Sequence, residues 1–449
     1  MNDTLVLVLA AGEGTRMRSS QAKVLHQVAG RSLIGHVLTT VSEISPGSIA
    51  VVIGSQKDHA QFLSKEVHAF APEASLFFQK ERLGTAHAVL AARQALEEKK
   101  YGCILIVYGD TPLLSTSACH RLCAAINQGH GVAVLGFQTQ NATGYGRLIQ
   151  DERGNVVAIR EEKDATDEER HLTLCNGGAI ALHGAHALSL LDSITNTNAK
   201  KEYYLTDCVS LASDRGLTCA MVEGSENEVL GINDRLQLAQ AEALMQNRLR
   251  KKALEKGATL RAPETIFLSI DTQLGQDTVL EPYVICGPGV MIEDKVTVRA
   301  FSHLEDVHIH SGASVGPFAR IRGNASIGPQ ARIGNFVELK NAQIGSKTKI
   351  NHLAYVGDSI LGTSVNIGAG TITCNYDGHS KHQTTIEDGA FIGSNSSLVA
   401  PVTIGESALV GSGSVITQNV PAHALAVGRT KQSIKEGWAA RFWQRKSAS

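Results

Sequence analysis

Two patterns of apolar spacing divide the chain. Through about residue 230, short β-rich apolar runs alternate with longer helical patterns; the runs include Leu5 to Leu9, Ile49 to Ile53, Ile104 to Tyr108 and Val132 to Phe137. Such alternation predicts βαβ units on a mostly parallel sheet, with ligands at the strand ends. From Asn233 to about Leu254 the sequence is rich in Ala, Leu, Gln and Arg and contains no Gly or Pro, which predicts one connecting helix closed by Gly257. Beyond it, aliphatic residues recur every six positions: Ile309, Val315, Ile321, Ile327, Ile333 and Leu339, then Ile344, Ile350 and Val356, then Leu361 and Ile367, and finally Ile386, Ile392, Leu398, Ile404, Val410 and Ile416. Gly often follows at once, as after Val315, Ile327, Ile333, Ile392 and Ile404.

Neither a 3.6-residue helix nor strand alternation produces that spacing. A parallel β-helix does, because each six-residue unit supplies one inward aliphatic and one turn, three units close a triangular coil, and stacked coils bury a continuous aliphatic column. The expected architecture is an α/β, Rossmann-like N-terminal domain over residues 1–232, a linker helix over 233–255 and a β-helix of hexapeptide repeats over 256–449. Two five-residue steps, Leu339 to Ile344 and Val356 to Leu361, are one-residue deletions, and Asn375 to His382 is an inserted loop. Excursions from a repeat map to its working face.

Charge narrows the partners. Lys and Arg total 42 against 43 for Asp and Glu, so no net field recruits nucleic acid or an anionic membrane surface. Small-molecule substrates fit better. No apolar run approaches the roughly 18 residues of a membrane span. The strand-like Leu5 to Leu9 follows the first residues without a basic export region. Eight cysteines are scattered with no C-x-x-C pair, which suits reduced thiols rather than a disulfide framework or zinc site. The expectation is a soluble, cytoplasmic protein.

The first strand runs into Leu9-Ala-Ala-Gly-Glu-Gly-Thr-Arg-Met17, trailed by Lys23-Val-Leu-His26. Gly12 and Gly14 let backbone N–H groups approach phosphates, and Arg16 and Lys23 add charge-assisted contacts. A glycine turn alone is weak evidence, because tight strand-to-helix turns use glycine for steric reasons; two nearby cations strengthen it.

These residues resemble the sugar-1-phosphate nucleotidyltransferases, whose signature is L-A-A-G-x-G-T-R-M followed by P-K. This chain has Ala22 in place of the proline. Gln79, Leu83-Gly84-Thr85-Ala86, Tyr108-Gly109-Asp110, Gly144-Tyr-Gly146-Arg147, Glu161, Asn176 and Gly231-Ile-Asn233 agree with the uridylyltransferase branch, although Asn176-Gly-Gly stands where the family usually has N-T-G. The resemblance implies attack of a sugar phosphate oxygen on the α-phosphorus of UTP with loss of pyrophosphate. It assigns Arg16 and Lys23 as catalytic cations, Asp110 and Asn233 as Mg2+ ligands, and nucleotide and sugar contacts to Leu9, Ala10, Ala11, Gly12, Lys23, Gln79, Gly84, Thr85, Tyr108, Gly109, Asp110, Gly146, Glu161, Asn176 and Asn233. Read without it, Asp110 is a turn former and Asn233 a helix cap.

In the repeats, Asn351-His352-Leu-Ala-Tyr355-Val-Gly-Asp358 and Asn366-Ile-Gly-Ala369-Gly370 through Asn375-Tyr376 sit around the register breaks. This half resembles the glucosamine-1-phosphate acetyltransferase domain of hexapeptide acyltransferases. Nearly the whole chain is similar to the bifunctional uridylyltransferase and acetyltransferase of bacterial UDP-N-acetylglucosamine synthesis, a route to cell-wall precursors. The resemblance implies a left-handed β-helix, where the general rule for parallel crossovers favours right-handed. Acyl transfer from a thioester to an amine needs a base, and an imidazole titrating near neutrality suits it; the resemblance selects His352. Arg322 and Lys340 then grip the phosphate of glucosamine-1-phosphate, Tyr355, Asn366 and Asn375 hold the sugar, and Ala369, Asn375, Tyr376, Ser394, Ser412 and Arg429 contact acetyl-CoA. Arg322 and Lys340 are three unbroken steps apart and should stack on one face. The family also implies a homotrimer, with N-acetylglucosamine-1-phosphate passing to the uridylyl step.

Two other readings stay open. A monofunctional nucleotidyltransferase with a trimerising or regulatory β-helix needs neither a base nor phosphate-binding cations in the repeats. A non-enzymatic trimeric scaffold shows no Mg2+-dependent UTP affinity. The basic tail from Lys431, with Trp438 and Trp443, fits either a packed terminal helix or a contribution to a neighbour's site.

Overall fold

The structure, a computed structural model, describes residues 3–54 and 57–447. It forms two compact units, Met1–Asn247 and Arg248–Ser449. In the first, a nine-stranded sheet has the main order Cys219–Glu223, Val132–Gln138, Leu174–His183, Cys103–Tyr108, Thr4–Ala10, Ser48–Gly54, Ser75–Gln79. Neighbours are parallel except Leu174–His183, which is antiparallel to both flanking strands. The hairpin Arg147–Gln150 and Val156–Arg160 is attached through Arg147, which pairs with Cys175.

Every residue of Thr4–Ala10 is buried. Leu5, Leu7 and Leu9 join one apolar cluster while Val6, Val8 and Ala10 join another, so the strand reads as a continuous apolar run because both of its faces are covered. Its two neighbours, Ser48–Gly54 and Cys103–Tyr108, lie on opposite sides. The chain thus reverses direction across the sheet here, and the carboxyl ends at Ala10 and Tyr108 open on the crevice such a reversal creates.

The helix Arg235–Glu255 begins after Asp234, whose Oδ1 accepts the Gln237 N–H at 2.9 Å, and the boundary between units falls inside it. Gly257, at φ 94°, ends it, its N–H donating to the Leu254 carbonyl.

The second unit is a left-handed parallel β-helix. All seventeen aliphatic positions of the six-residue pattern from Ile309 to Ile416 are at most 6% exposed and form one column. Backbone in the left-handed region recurs at the corners with the same period, for example at Lys295, Phe301, Gly312, Phe318, Asn324, Gln330 and Phe336. The coils begin earlier than the sequence pattern does, at Thr259–Leu260, and include another five-residue step from Leu304 to Ile309. At the two deletions the strands Glu338–Ile344 and Tyr355–Leu361 run through the corner. Among the described residues no helix is long and apolar enough to cross a membrane. All eight cysteines are free thiols, seven of them buried.

Each inward aliphatic is surrounded by its counterparts in the coils above and below, so truncating one leaves a cavity that neighbours cannot fill without breaking the ladder. Ile350→Ala, at a position with no exposure, is expected to destabilise the β-helix by about 2–5 kcal/mol, read as a lowered denaturation midpoint with unchanged slope.

Candidate active sites

The N-terminal site is a cavity of about 250 Å3 at the crevice, lined by Leu9, Ala11, Gly12, Lys23, Gln79, Gly84, Thr85, Tyr108 and Asp110 among others. Lys23 is buried, and its Nζ donates to Asp110 Oδ2 and, at 3.2 Å, to Asn233 Oδ1. Gly14 makes this closure possible: at φ 66°, a Cβ there would lie 2.5 Å from Lys23 Cβ. Of the two loop glycines, Gly14 therefore seats the lysine, whereas Gly12 faces open space.

Asp234 caps the helix, and the Asn233 N–H donates to Gln237 Oε1 at 2.8 Å. Asn233 Nδ2 donates to the Gly231 carbonyl at 3.4 Å, and its side-chain Oδ1 is left to face Lys23. Two oxygens, one of them a carboxylate, converge on a single cationic centre, and hard oxygen ligands of this kind fit Mg2+ completed by phosphates and water.

Gln79 Nε2 donates to the Gly84 carbonyl at 3.3 Å and meets His87 Nδ1 at 3.2 Å. Thr85 Oγ1 accepts the Leu205 N–H at 2.9 Å. Ala10 and Gly109 lie at the adjoining strand ends, where the Gly109 N–H donates to the Leu9 carbonyl. Arg16 is exposed on the short 3-10 helix Thr15–Met17, away from the cavity wall. Arg82 and Glu202 line the cavity and were missed in the sequence. Arg82 Nε donates to the Ala11 carbonyl at 3.1 Å; its signal was a cation inside the Gln79-to-Gly84 stretch.

Glu161 lies in a second cavity of about 250 Å3 with Asp164, Asn198, Tyr204 and Asp207. Thr206 Oγ1 donates to Glu161 Oε1 at 3.1 Å. Asp164 Oδ2 and the Tyr204 hydroxyl are buried without a hydrogen-bond partner, so the pocket offers polar atoms that only a ligand or water can satisfy. Burial raises the Glu161 carboxyl above its usual range against the Thr206 bond. Burial, then the charges of Glu161 and Asp110, raise the Tyr108 hydroxyl.

Asn176 and Gly146 meet where the Asn176 N–H donates to the Gly146 carbonyl at 2.8 Å. The departure from N-T-G has a steric reason: a Cβ at Gly177 would lie 2.6 Å from Val229 Cγ1 and 3.0 Å from the Leu135 carbonyl oxygen.

In the β-helix, His352 ends the strand Lys349–His352, in register with Asn335. Its Nδ1 is 2.8 Å from Asn335 Oδ1. An amide oxygen only accepts, so this contact assigns the proton to Nδ1 and leaves the Nε2 lone pair free. Both residues line a cavity of about 360 Å3. Asn335 was not singled out in the sequence.

Below them the same corner continues as a column. The Gly370 N–H donates to the His352 carbonyl, Asn395 N–H to Ala369, and Gly413 N–H to Ser394, while Arg429 Nη1 reaches the Ser412 carbonyl at 2.5 Å. Ala369, Ser394, Ser412 and Arg429 therefore stack on successive coils beneath His352. Asn366, in register with Lys349, lies on the adjoining face.

Arg322 and Lys340 are register partners, as their spacing required. Arg322 donates twice to Glu338 Oε1, at 3.0 and 2.6 Å. Tyr355 pairs with Glu338, and Gly357 pairs with Lys340. Lys381, in the inserted loop and outside the repeat register, was missed in the sequence. Its contact with Lys340, then burial and the positive charges of Lys381 and Arg322, hold the Lys340 ammonium below its ordinary pKa.

Asn375 Nδ2 and Asn341 Nδ2 donate to the two oxygens of Asp358. Burial would raise that carboxyl, but the two amides, Lys340 and Lys381 hold it below its usual range. Asn375 and Tyr376 belong to this group, so the structure separates them from the Ala369-to-Arg429 column by one face of the prism.

The chain matches a family model described as MobA-like NTP transferase domain over residues 6–253, one described as GMPPB C-terminal domain over 303–377, and one described as bacterial transferase hexapeptide (six repeats) over 383–418. It is 56% identical over 436 residues to the Bifunctional protein GlmU of Azorhizobium caulinodans, covering 97% of this chain and 96% of that protein. The proteins of the same name from Bradyrhizobium sp. and Agrobacterium fabrum are 53% and 51% identical, covering 98% and 99% of this chain and 97% of each relative.

The acidic pocket generates a pH prediction. Burial, then Glu161 and Asp164, push Asp207 up to about 6. A carboxyl raised on folding costs stability as pH rises from its unfolded value of about 3.9 through the folded one. Asp207→Asn is therefore expected to be more stable than the parent by about 1 kcal/mol at pH 7.5, with the difference vanishing below about pH 4; thermal melts across that range read it.

Proposed function

Because this chain belongs to the family of bifunctional GlmU proteins, we propose that each of the two sites performs one of the family's two reactions. The chain is a bifunctional enzyme, a uridylyltransferase and an acetyltransferase, whose substrates include UTP and acetyl-CoA. The observation that carries the division of labour is that one chain holds both the Lys23–Asp110–Asn233 cluster at a sheet's carboxyl edge and an oriented histidine at a β-helix corner.

In the acetyl step, glucosamine-1-phosphate lies with its phosphate against Arg322, Lys340 and Lys381 and its sugar against Tyr355, Asn366 and Asn375. Acetyl-CoA runs along the Ala369–Ser394–Ser412–Arg429 column, with its thioester beside His352. Nε2 takes the proton from the attacking amine, the nitrogen bonds to the thioester carbon, the C–S bond breaks, and CoA leaves as the thiol after gaining a proton. Asn335 is a positioning residue: by accepting from Nδ1 it keeps the basic nitrogen toward substrate.

In the uridylyl step, Gln79 and Gly84-Thr85 read the base, Glu161, Asn176, Gly146 and the unsatisfied polar atoms near Tyr204 hold the sugar, and Lys23 and Arg16 neutralise phosphate charge. The oxygen of N-acetylglucosamine-1-phosphate attacks the α-phosphorus and pyrophosphate departs. Positioning and charge dominate such transfers. Asp110 and Asn233 would hold Mg2+, which supplies charge neutralisation on the phosphates when bound.

We read the functional boundaries as 1–232, 233–255 and 256–449, the compartment as the cytoplasm, in keeping with free thiols, and the assembly as a homotrimer. Tyr283, Phe301, Phe318 and Phe336 stack at 4.9, 4.9 and 5.1 Å along the corner that leads to His352, each 45–54% exposed and each with φ between 55° and 62°. Bulky residues in left-handed backbone cost roughly 1–2 kcal/mol each, and packing against neighbouring copies offsets it. A neighbour also supplies what one chain separates, a group like Asn375 and Tyr376 beside the column under His352.

Free CoA thiol should appear when the enzyme meets acetyl-CoA and glucosamine-1-phosphate, and pyrophosphate only after UTP and Mg2+ are added. Asp110→Ala should lower pyrophosphate release by at least about 100-fold and spare thiol release, with His352→Ala doing the reverse; loss of both reactions by either folded variant would overturn the division. Asn335→Ala is expected to lower kcat of acetyl transfer by roughly 10–100-fold and change its pH profile while leaving KM for acetyl-CoA and the uridylyl rate unchanged.

A further inference from the structure

Glu293, His308 and His310 converge outside both sites. Glu293 follows the strand Val290–Ile292, and His308 lies in Val307–Ile309 on the next coil, in register with Met291. Glu293 Oε1 is 2.9 Å from His308 Nε2 and 2.9 Å from His310 Nδ1, and the three ligand atoms lie within 4.8 Å of one another. The imidazoles are 4.0 Å apart between centroids. All three side chains are half-buried, 29–37% exposed.

Two features set this cluster apart from a surface ion pair. Its carboxylate is aimed: Ser311 donates both its N–H and its O–H to Glu293 Oε2, each at 2.9 Å, leaving Oε1 to the imidazoles. The far nitrogen of His310 also has a partner, Ser326 Oγ at 3.3 Å. Metal-binding histidines are oriented by such a contact on the second ring nitrogen.

We propose that Glu293, His308 and His310 form a site for a borderline divalent ion of the zinc class, which joins consecutive coils in the early part of the β-helix. The two 2.9 Å carboxylate–imidazole distances are hydrogen-bond lengths; opening each by about 0.5 Å gives tetrahedral spacing around an ion with bonds of about 2.1 Å. Two imidazoles and one carboxylate with open positions suit Zn2+, Co2+ or Ni2+, whereas Mg2+ takes oxygen ligands. An imidazole binds an ion through the lone pair of one nitrogen while the other carries the ring proton. A tautomer shift moves the His308 proton to Nδ1 and the His310 proton to Nε2, which then donates to Ser326 Oγ. This site is independent of the uridylyl and acetyl reactions.

The test titrates metal-stripped, full-length protein with Zn2+ alone, using Co2+ for its visible absorption. The parent is expected to bind about one ion per chain, with a thermal midpoint that rises with Zn2+ and a cobalt spectrum of mixed nitrogen and oxygen ligation. Glu293→Gln, which keeps an acceptor for both imidazoles and so preserves the fold, should weaken binding at least about 10-fold. The double variant His308→Gln with His310→Gln should abolish the cobalt signal while both catalytic rates persist. Tight binding that survives in both variants, Mg2+ displacing Zn2+ at equal concentration, or a parent that binds no Zn2+ below about 1 mM would each overturn the proposal and leave a purely hydrogen-bonded cluster.

Discussion

An inward aliphatic at every sixth position leaves the C-terminal chain one register in which to bury its apolar surface. Sliding by one residue would turn Ile333, Ile350 and Ile367 outward and place their polar neighbours in the column. The chemistry of this half depends on that constraint. Once the coil register is fixed, side chains 17 or 18 positions apart become neighbours whatever their identity. Arg322 meets Lys340 and Asn335 meets His352 because the core beneath them allows no other pairing. The first unit obeys a different constraint. Its central strand is covered on both faces, so polar function is confined to the carboxyl edge, where Ala10 and Tyr108 end.

What could be read in the sequence follows from that difference. The β-helix was legible because its period matches no helix or alternating strand, and the stacking of Arg322 on Lys340 followed because no deletion lies between them. Asn335 was hidden for a related reason. The five-residue step from Leu339 to Ile344 shortens the coil, so His352 lies 17 positions on, and the stack is legible only after the deletion is counted into the register. The step from Leu304 to Ile309 also conceals how His308 and His310 come under Glu293. Lys381 obeys no register because it sits in the inserted loop. The first coils fell within the expected β-helix of 256–449, but the six-residue spacing was traced only from Ile309, because Leu274 is only partly buried, Cys286 takes an inward position, and the Pro263–Thr265 turn interrupts it.

In the N-terminal unit the crevice was legible from the strand, the glycine turn and the cations that follow. The roles within it were less so. Read without the resemblance, Asn233 was the helix cap; the structure gives that role to its neighbour Asp234, whose Oδ1 accepts the Gln237 N–H, and leaves Asn233 Oδ1 facing Lys23. Likewise Gly12 and Gly14 look alike in the motif, yet one faces open space and the other makes room for a lysine stem. These distinctions depend on what lies across the crevice, information that a local motif does not carry.

In the roles proposed for them, the two sites would meet the same demand, holding a phosphate, with different electrostatic preparation. Lys23 is buried, and a buried ammonium without a partner is costly, so Asp110 and Asn233 satisfy it before substrate arrives. The ammonium has three N–H bonds and these oxygens take two, so in the role proposed for it a phosphate could engage Lys23 beside the pair or by displacing it, and the oxygens released by displacement are those that fit a divalent cation. In that proposed role, phosphate and metal binding would be linked through one lysine. At the β-helix the cations are nearer the surface: Arg322 has Glu338, and Lys340 lies near both Lys381 and the Asp358 carboxylate, its contact with Lys381 holding the ammonium below its ordinary pKa. A bound dianion would add a further compensating charge beside both lysines. In these proposed roles the first site would meet its phosphate with a lysine already satisfied in the interior, the second with cations near the surface, and only the first has its lysine buried.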